Sequence, residues 1–143
     1  MIDAITGRVV RLEPDHLVIE TGGVAFRIFC PTRTLHTYRP GEEEQVYVHL
    51  IVRDDGIHLF GFPSFQEREI FRSLLPVGQV GPRLALQLLS TLTPEAFVEA
   101  ISSGDVERLM AVKGIGRKTA QRILIDLRDK VTAEIMGTPG VLP

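Results

Sequence analysis

Hydrophobic periodicity changes once along this chain, near Ser64, and that change divides what the two halves can fold into. Before it, apolar and polar residues alternate in short runs, the period-two pattern of half-buried strands: AITGRVVRL, HLVIE, VAFRIFC, QVYVHLIV and IHLFGF. Thr21-Gly22-Gly23 and Asp54-Asp55-Gly56 supply tight-turn chemistry, since glycine tolerates positive φ and aspartate hydrogen-bonds its own backbone. Between the third and fourth runs, PTRTLHTYRPGEEE predicts a short helix ended by Pro40-Gly41. Five strands with one helix after the third is the layout of an OB-type small barrel.

From Ser64 the grammar is helical. Ser64 with Glu67 forms a capping-box pattern opening SFQEREIFRSLL, and Thr93-Pro94 places an N-cap before a proline at the first helical position of PEAFVEAIS. The helix signal ends near Gly137-Thr138-Pro139-Gly140. The expected architecture is therefore α+β in two domains. Residues 1–63 form a five-stranded OB-fold barrel with an acidic turn, 64–134 an all-helical domain, and 135–143 the start of a flexible linker or tail. At 143 residues and 44% hydrophobic, the chain can bury a core as one domain or two small ones.

The helical half repeats itself. LLPVGQVGPRLALQLL (74–89) over LMAVKGIGRKTAQRIL (109–124), an offset of 35, aligns Leu74 with Leu109, Val77 with Val112, Gly81 with Gly116 and Ala85 with Ala120, and sets Arg83 on Lys118. Each copy reads as a helix end, a glycine-containing turn and a new helix start: two helix-hairpin-helix motifs.

Charge is distributed unevenly between the halves. Residues 1–63 carry 6 Lys+Arg against 9 Asp+Glu, residues 64–143 carry 10 against 9, and residues 113–122 alone are +4 in a chain of formal charge -2. The second half is therefore expected to hold an anion that part of the first half repels. The first amides of a helix have no partner within it and share the positive end of the macrodipole. Glycine at 114 and 116 lets phosphate approach the backbone, and Arg117, Lys118 and Arg122 add charge. Such contacts read the sugar-phosphate backbone, which predicts salt-sensitive, sequence-tolerant binding. In a single copy, Gly114 could simply cap the preceding helix with the basic residues forming a solvated face. Duplication at a fixed offset favours nucleic acid. A Walker loop would need glycine where Arg117 stands, and a dinucleotide fingerprint would need glycine at Thr119.

Other features carry little chemistry. Cys30 is the single cysteine, so no intramolecular disulfide forms, and its apolar alternation predicts a core residue in a reducing cytosol. His16, His36, His49 and His58 are scattered without ligand spacing, so neither a metal nor a cofactor is expected. The stripes Leu84, Leu88, Leu89 and Ile123, Leu124, Leu127 read as core or subunit interface. Phe60 and Phe62 flank Gly61 and could stack on bases, although the alternation of IHLFGF predicts packing for at least one. No signal-peptide pattern opens the chain and no apolar run reaches the ~18 residues of a membrane span, so a cytoplasmic protein is expected.

The chain resembles the RuvA family of bacterial Holliday-junction-binding proteins. The resemblance rests on Gly7 in the opening strand, HLVIETGGVAFRI, VRDDGIHLFGF, QEREIF, VGPRLALQLLS and VKGIGRKTAQRILIDLRDKV, and covers essentially the whole length. It implies an OB-fold first domain, tandem helix-hairpin-helix motifs, and a homotetramer, alone or as two facing tetramers, whose concave face receives an opened four-way junction. It also implies two partners, the hexameric ATPase RuvB as motor and the endonuclease RuvC, with no enzymatic activity in this subunit. Carried onto this sequence, the first hairpin matches Val80, Gly81 and Arg83, and the second Gly114, Gly116, Arg117, Lys118 and Arg122. The family's usual Gly-Val-Gly is here Gln79-Val80-Gly81, with Gly78 one place earlier. A side chain at 79 is expected to hinder backbone approach, which makes the second hairpin the stronger candidate.

VRDDG matches the family's central acidic pin at Asp54 and Asp55, although Asp-Asp-Gly is also ordinary hairpin chemistry. In a tetramer these carboxylates would ring the crossover and oppose a duplex lying across it. The family's third domain, which docks on RuvB, would begin where this sequence stops at GTPGVLP. If nothing follows Pro143, junction binding and tetramerisation are expected to survive while stimulation of the motor is lost or weakened. Two other functions compete: a general helix-hairpin-helix and OB module for single strands or duplex, and a helix-hairpin-helix DNA repair enzyme. The latter needs a catalytic lysine or carboxylate at a base pocket, and no cluster of acids and bases in the sequence has that form.

Overall fold

The computed structural model of the chain describes residues 2–130. The alternating runs form β1 (Ala4–Leu12), β2 (His16–Thr21), β3 (Val24–Phe29), β4 (Glu43–Arg53) and β5 (Gly56–Phe62). They close into a barrel in the order β1-β2-β3-β5-β4. β3 and β5 run parallel and the other neighbours antiparallel. Alternate side chains fill the interior, among them Ile5, Val9, Leu17, Ile28, Val48 and Leu59. Gly61 is required where the wall is tightest: a Cβ there would stand 2.5 Å from both Ile28 Cγ2 and Val46 Cγ1. Phe60 and Phe62 are both buried, which satisfies the packing expectation and removes them as base-stacking platforms.

The helix between the third and fourth strands is shorter than the sequence predicts. It is a single turn, α1 (Thr32–Leu35), which ends at His36 well before Pro40-Gly41. Thr34 Oγ1 donates to the Pro31 carbonyl at 2.8 Å and Thr37 Oγ1 to the Thr34 carbonyl at 2.6 Å, local bonds that compete with helix propagation. By Gly41 and Glu42 the chain is already paired with Val9 of β1, through bonds of 2.7 and 2.9 Å. Leu35 and Tyr38 from this stretch join the barrel core.

Two compact units are present, Met1–Arg68 and Glu69–Pro143, and the division falls inside α2 (Phe65–Leu74). The first turn of α2 packs with the barrel. Ser64 Oγ accepts from the Glu67 amide at 3.2 Å, as an N-cap does. The Glu67 side chain is buried and its carboxylate takes the Arg33 guanidinium of α1. Arg68, also buried, donates to Asp3 Oδ1 at 2.7 Å and lies 5.6 Å from the Tyr47 ring and 5.1 Å from the Phe65 ring.

The second unit continues with α3 (Pro82–Thr91), α4 (Pro94–Ser103), α5 (Val106–Met110) and α6 (Arg117–Lys130). Thr93 caps α4 by accepting from the Ala96 amide at 3.1 Å, with Pro94 in the first turn. Asp105 caps α5 by accepting from the Arg108 amide at 3.0 Å. Leu88, Leu89, Ile123 and Leu127 are wholly buried and belong to the core, whereas Leu84 and Leu124 of the same stripes are half-buried. Among the described residues no single helix is long and apolar enough to cross a membrane. The expected tail at 135–143 lies outside the described residues.

Candidate nucleic-acid interface

The sequence repeat is a structural repeat down to individual hydrogen bonds. After α2, the Val77 amide bonds the Leu74 carbonyl and the Val80 amide the Val77 carbonyl, each at 3.1 Å. After α5, the Val112 amide bonds Leu109 and the Ile115 amide bonds Val112, again at 3.1 Å. The next helix then closes its first turn on a glycine, Ala85 to Gly81 at 3.0 Å and Ala120 to Gly116 at 2.9 Å. Val77, Val80, Val112 and Ile115 are buried, and these four plugs hold the two turns in shape. Val80, a residue expected at the site, has its side chain buried in the turn, so only its backbone is open to such a role.

Around those plugs the turns are open. Gly78, Gln79, Gly81, Gly114 and Gly116 are exposed. A Cβ on Gly81 or Gly116 would meet nothing within 4 Å, so both helix starts face free space. Gly81 caps α3 with an extended backbone, φ -99° and ψ 179°, and no side chain caps the helix. Pro82 has no amide to give, so those of Arg83 and Leu84 are the donors left for an incoming acceptor. Gly116 is equally unable to cap α6 with a side chain, and the first-turn amides of a helix have no acceptor within it.

The two hairpins are interlocked. A Cβ on Gly114 would come within 2.9 Å of Leu84 Cδ1 on α3, and one on Gly78 would lie 3.6 Å from Arg122 Nη1 on α6. Arg122, belonging by sequence to the second motif, therefore places its guanidinium beside the first. Arg83, Lys113, Lys118 and Arg122 are exposed, and among the described residues none is paired with a carboxylate. Arg117 differs, since its guanidinium meets Glu107 Oε1 at 2.9 Å. Lys113 and Glu107 are the site neighbours that motif matching passes over, and the +4 charge of residues 113–122 already pointed to the first.

Asp54 and Asp55 lie in the other unit, as the two-residue connection between β4 and β5, with Arg53 and Gly56 paired across its base. Gly56 takes φ +135° and both aspartates are exposed. Asp55 Oδ1 lies 3.0 Å from His58 Nε2, and that hydrogen bond, above other causes, lowers the Asp55 pKa from its ordinary 3.8. Among the described residues, no group of three or more His, Cys, Asp or Glu could hold a metal ion.

Residues 1–61 match the family profile described as the RuvA N terminal domain, and residues 71–129 match that of a SAM-like helix-hairpin-helix tandem. A protein of Caldanaerobacter subterraneus subsp. tengcongensis named Holliday junction branch migration complex subunit RuvA is 42% identical over 137 residues, 95% of this chain and 73% of its own length. The chain belongs to the RuvA family. Proteins of the same name from Rubrobacter xylanophilus and Streptomyces avermitilis are 45% and 41% identical over 93% and 98% of this chain, which spans 68% of each. The barrel and the paired hairpins are thus the two parts that this RuvA-family chain shares with its relatives.

Proposed function

We propose that this chain is the junction-binding subunit of a branch-migration complex, holding a four-way DNA junction open while a separate motor drives it. The observation that carries the reading is the duplicated hairpin, with matched turn hydrogen bonds, two glycine helix starts facing free space and unpaired cations beside them. The relatives' name, branch migration complex subunit, agrees with it. In this role Gly78, Gln79, Val80, Gly81 and Arg83 form one phosphate grip and Gly114, Gly116, Arg117, Lys118 and Arg122 the other. Both bind backbone, so arms of any sequence are accepted.

Asp54 and Asp55 act by repulsion. Four subunits around a four-way junction would set their acidic turns about the crossover, where carboxylates oppose a duplex lying flat and favour separated strands. The proposed assembly is a homotetramer, singly or as two facing tetramers. Its partners are the RuvB ATPase, which supplies the energy, and the RuvC endonuclease. The subunit itself binds and positions, and catalyses no bond cleavage.

Gel shifts of a four-way junction, a duplex and a single strand of shared sequence, at two salt concentrations, test this. Junction preference of about a hundredfold or more supports it. Parity among the three substrates favours a general DNA-binding module, and cleavage products would indicate an enzyme.

A further inference from the structure

His58, which sequence spacing leaves among scattered histidines, is in contact with the acidic turn. Its Nε2 lies 3.0 Å from Asp55 Oδ1, and the side chains are 31% and 73% exposed, so solvent protons reach both. An ionised carboxylate only accepts hydrogen bonds, so Nε2 carries the hydrogen and Nδ1 is left with a lone pair open to protonation. The geometry points to His58 as the residue that sets the charge the acidic turn presents to DNA, taking up a proton as pH falls and converting a neutral hydrogen bond into an ion pair. This rests on the reading that Asp54 and Asp55 face the junction crossover.

The surroundings permit such a response. Arg53 flanks the turn on β4 and Asp54 adjoins Asp55. On β4, apolar Ile51 stands opposite His58, and His49 two residues further in stands opposite Phe60. On β3, Arg27 lies two residues before Phe29, the partner of Phe60. The fixed charges of the turn are thus Asp54, Asp55 and Arg53, and one proton on His58 cancels the net negative charge left over. In a ring of subunits each turn changes together. A unit charge about 10 Å from a phosphate alters binding roughly twofold in a water-like dielectric, so a ring gives about fivefold after screening.

The test is the affinity of the full chain for a labelled four-way junction and for a duplex of the same sequence, at about pH 8.5 and about pH 6 at equal ionic strength. The wild type is expected to gain junction-over-duplex preference by roughly fivefold on acidification, because repulsion at the crossover falls. His58→Gln keeps an amide donor for Asp55 but cannot titrate, and should lose that gain. His58→Thr is the second variant, and thermal melting verifies that each is folded. His49 and the other histidines are common to all three proteins and cancel in the comparison. A gain in either folded variant equal to the wild type's overturns the proposal. A wild type without junction preference at either pH sinks the function reading instead, and this role of His58 with it.

Discussion

Gln79 and Gly114 hold the same left-handed backbone at matching points of the two hairpins, φ +73° and φ +95°, and Gln79 is the one non-glycine residue with positive φ among the described residues. For glycine that conformation costs nothing, whereas a residue with a Cβ meets its own carbonyl there, at about 1–2 kcal/mol. The turn imposes it regardless, because buried Val77 and Val80 on either side, each bonded to the turn before it, leave position 79 no alternative. At 114 the exclusion is doubled, since Leu84 occupies the space a side chain would need.

Replacing Gln79 with glycine relieves about 1–2 kcal/mol of strain and loosens the unfolded chain by roughly 0.5–1 kcal/mol. A net gain of about 0.5–1 kcal/mol is expected, read as a higher urea midpoint at unchanged slope. Gly114→Ala should instead cost about 2–4 kcal/mol, combining left-handed strain with displacement of Leu84. Equal effects at the two positions would show that the hairpins are not held alike.

Cations at the hairpins should separate by their partners. Lys118→Ala and Arg122→Ala each remove a free charge, weaken junction binding across sequences and flatten the plot of log affinity against log salt by about 0.9 for each phosphate left without its cation. Arg122→Ala should be the more damaging, because its guanidinium borders Gly78 as well as its own motif. Glu107→Gln should act in the opposite direction, tightening binding about twofold by releasing Arg117, since an exposed pair of this kind holds it by only ~0.2–1 kcal/mol. Unchanged affinity in all three would remove α6 from the interface.

Asp54→Asn combined with Asp55→Asn should leave junction affinity equal or higher, while changing junction geometry in gel mobility or the rate of migration. A large loss of binding would contradict the repulsive role. Asp55 also has a signature of its own. With its folded pKa lowered by His58, it stabilises the fold at pH above the ordinary 3.8 of aspartate and loses that contribution as pH falls through the lowered value. Urea midpoints measured on acidification should therefore drop less in Asp55→Asn than in the wild type.

The barrel is legible in the sequence because alternation and turn chemistry are local, and each of its five strands can be read within a window of ten residues or so. The helix ending at Leu35 is shorter than its sequence implies because its stop depends on Thr34 and Thr37 bonding nearby carbonyls and on Gly41 pairing with Val9, a contact across the fold. At the interface, the offset of 35 already lays Gln79 on Gly114, so the strained position is implicit in the repeat. Three relationships have no such signal. Arg117 with Glu107, Arg122 beside Gly78 and Gly114 against Leu84 all depend on how helices pack, which periodicity does not specify. His58 with Asp55 is within reach of the sequence, being three residues apart across a tight turn, but the spacing of metal ligands does not single it out.

Cys30 offers a reporter of barrel opening. It is buried beside Gly61, and burial, opposed only by backbone hydrogen bonds, pushes its thiol well above the ordinary 9.0. Thiolate is the reactive form, so the native protein should resist an aromatic disulfide reagent until the barrel opens. Gly61→Ala forces a methyl group against Ile28 and Val46 and should destabilise by about 1–3 kcal/mol. Where opening is a rapid pre-equilibrium, labelling should accelerate about tenfold for each 1.4 kcal/mol of stability removed. The same raised pKa makes stability fall as pH climbs above 9.0, because the unfolded chain ionises Cys30 while the folded one does not. Tyr38, also raised by burial from its ordinary 10.0, adds to that alkaline loss with the same sign. Fast labelling of the wild type in the absence of denaturant would mean that the barrel wall around Gly61 is open in solution.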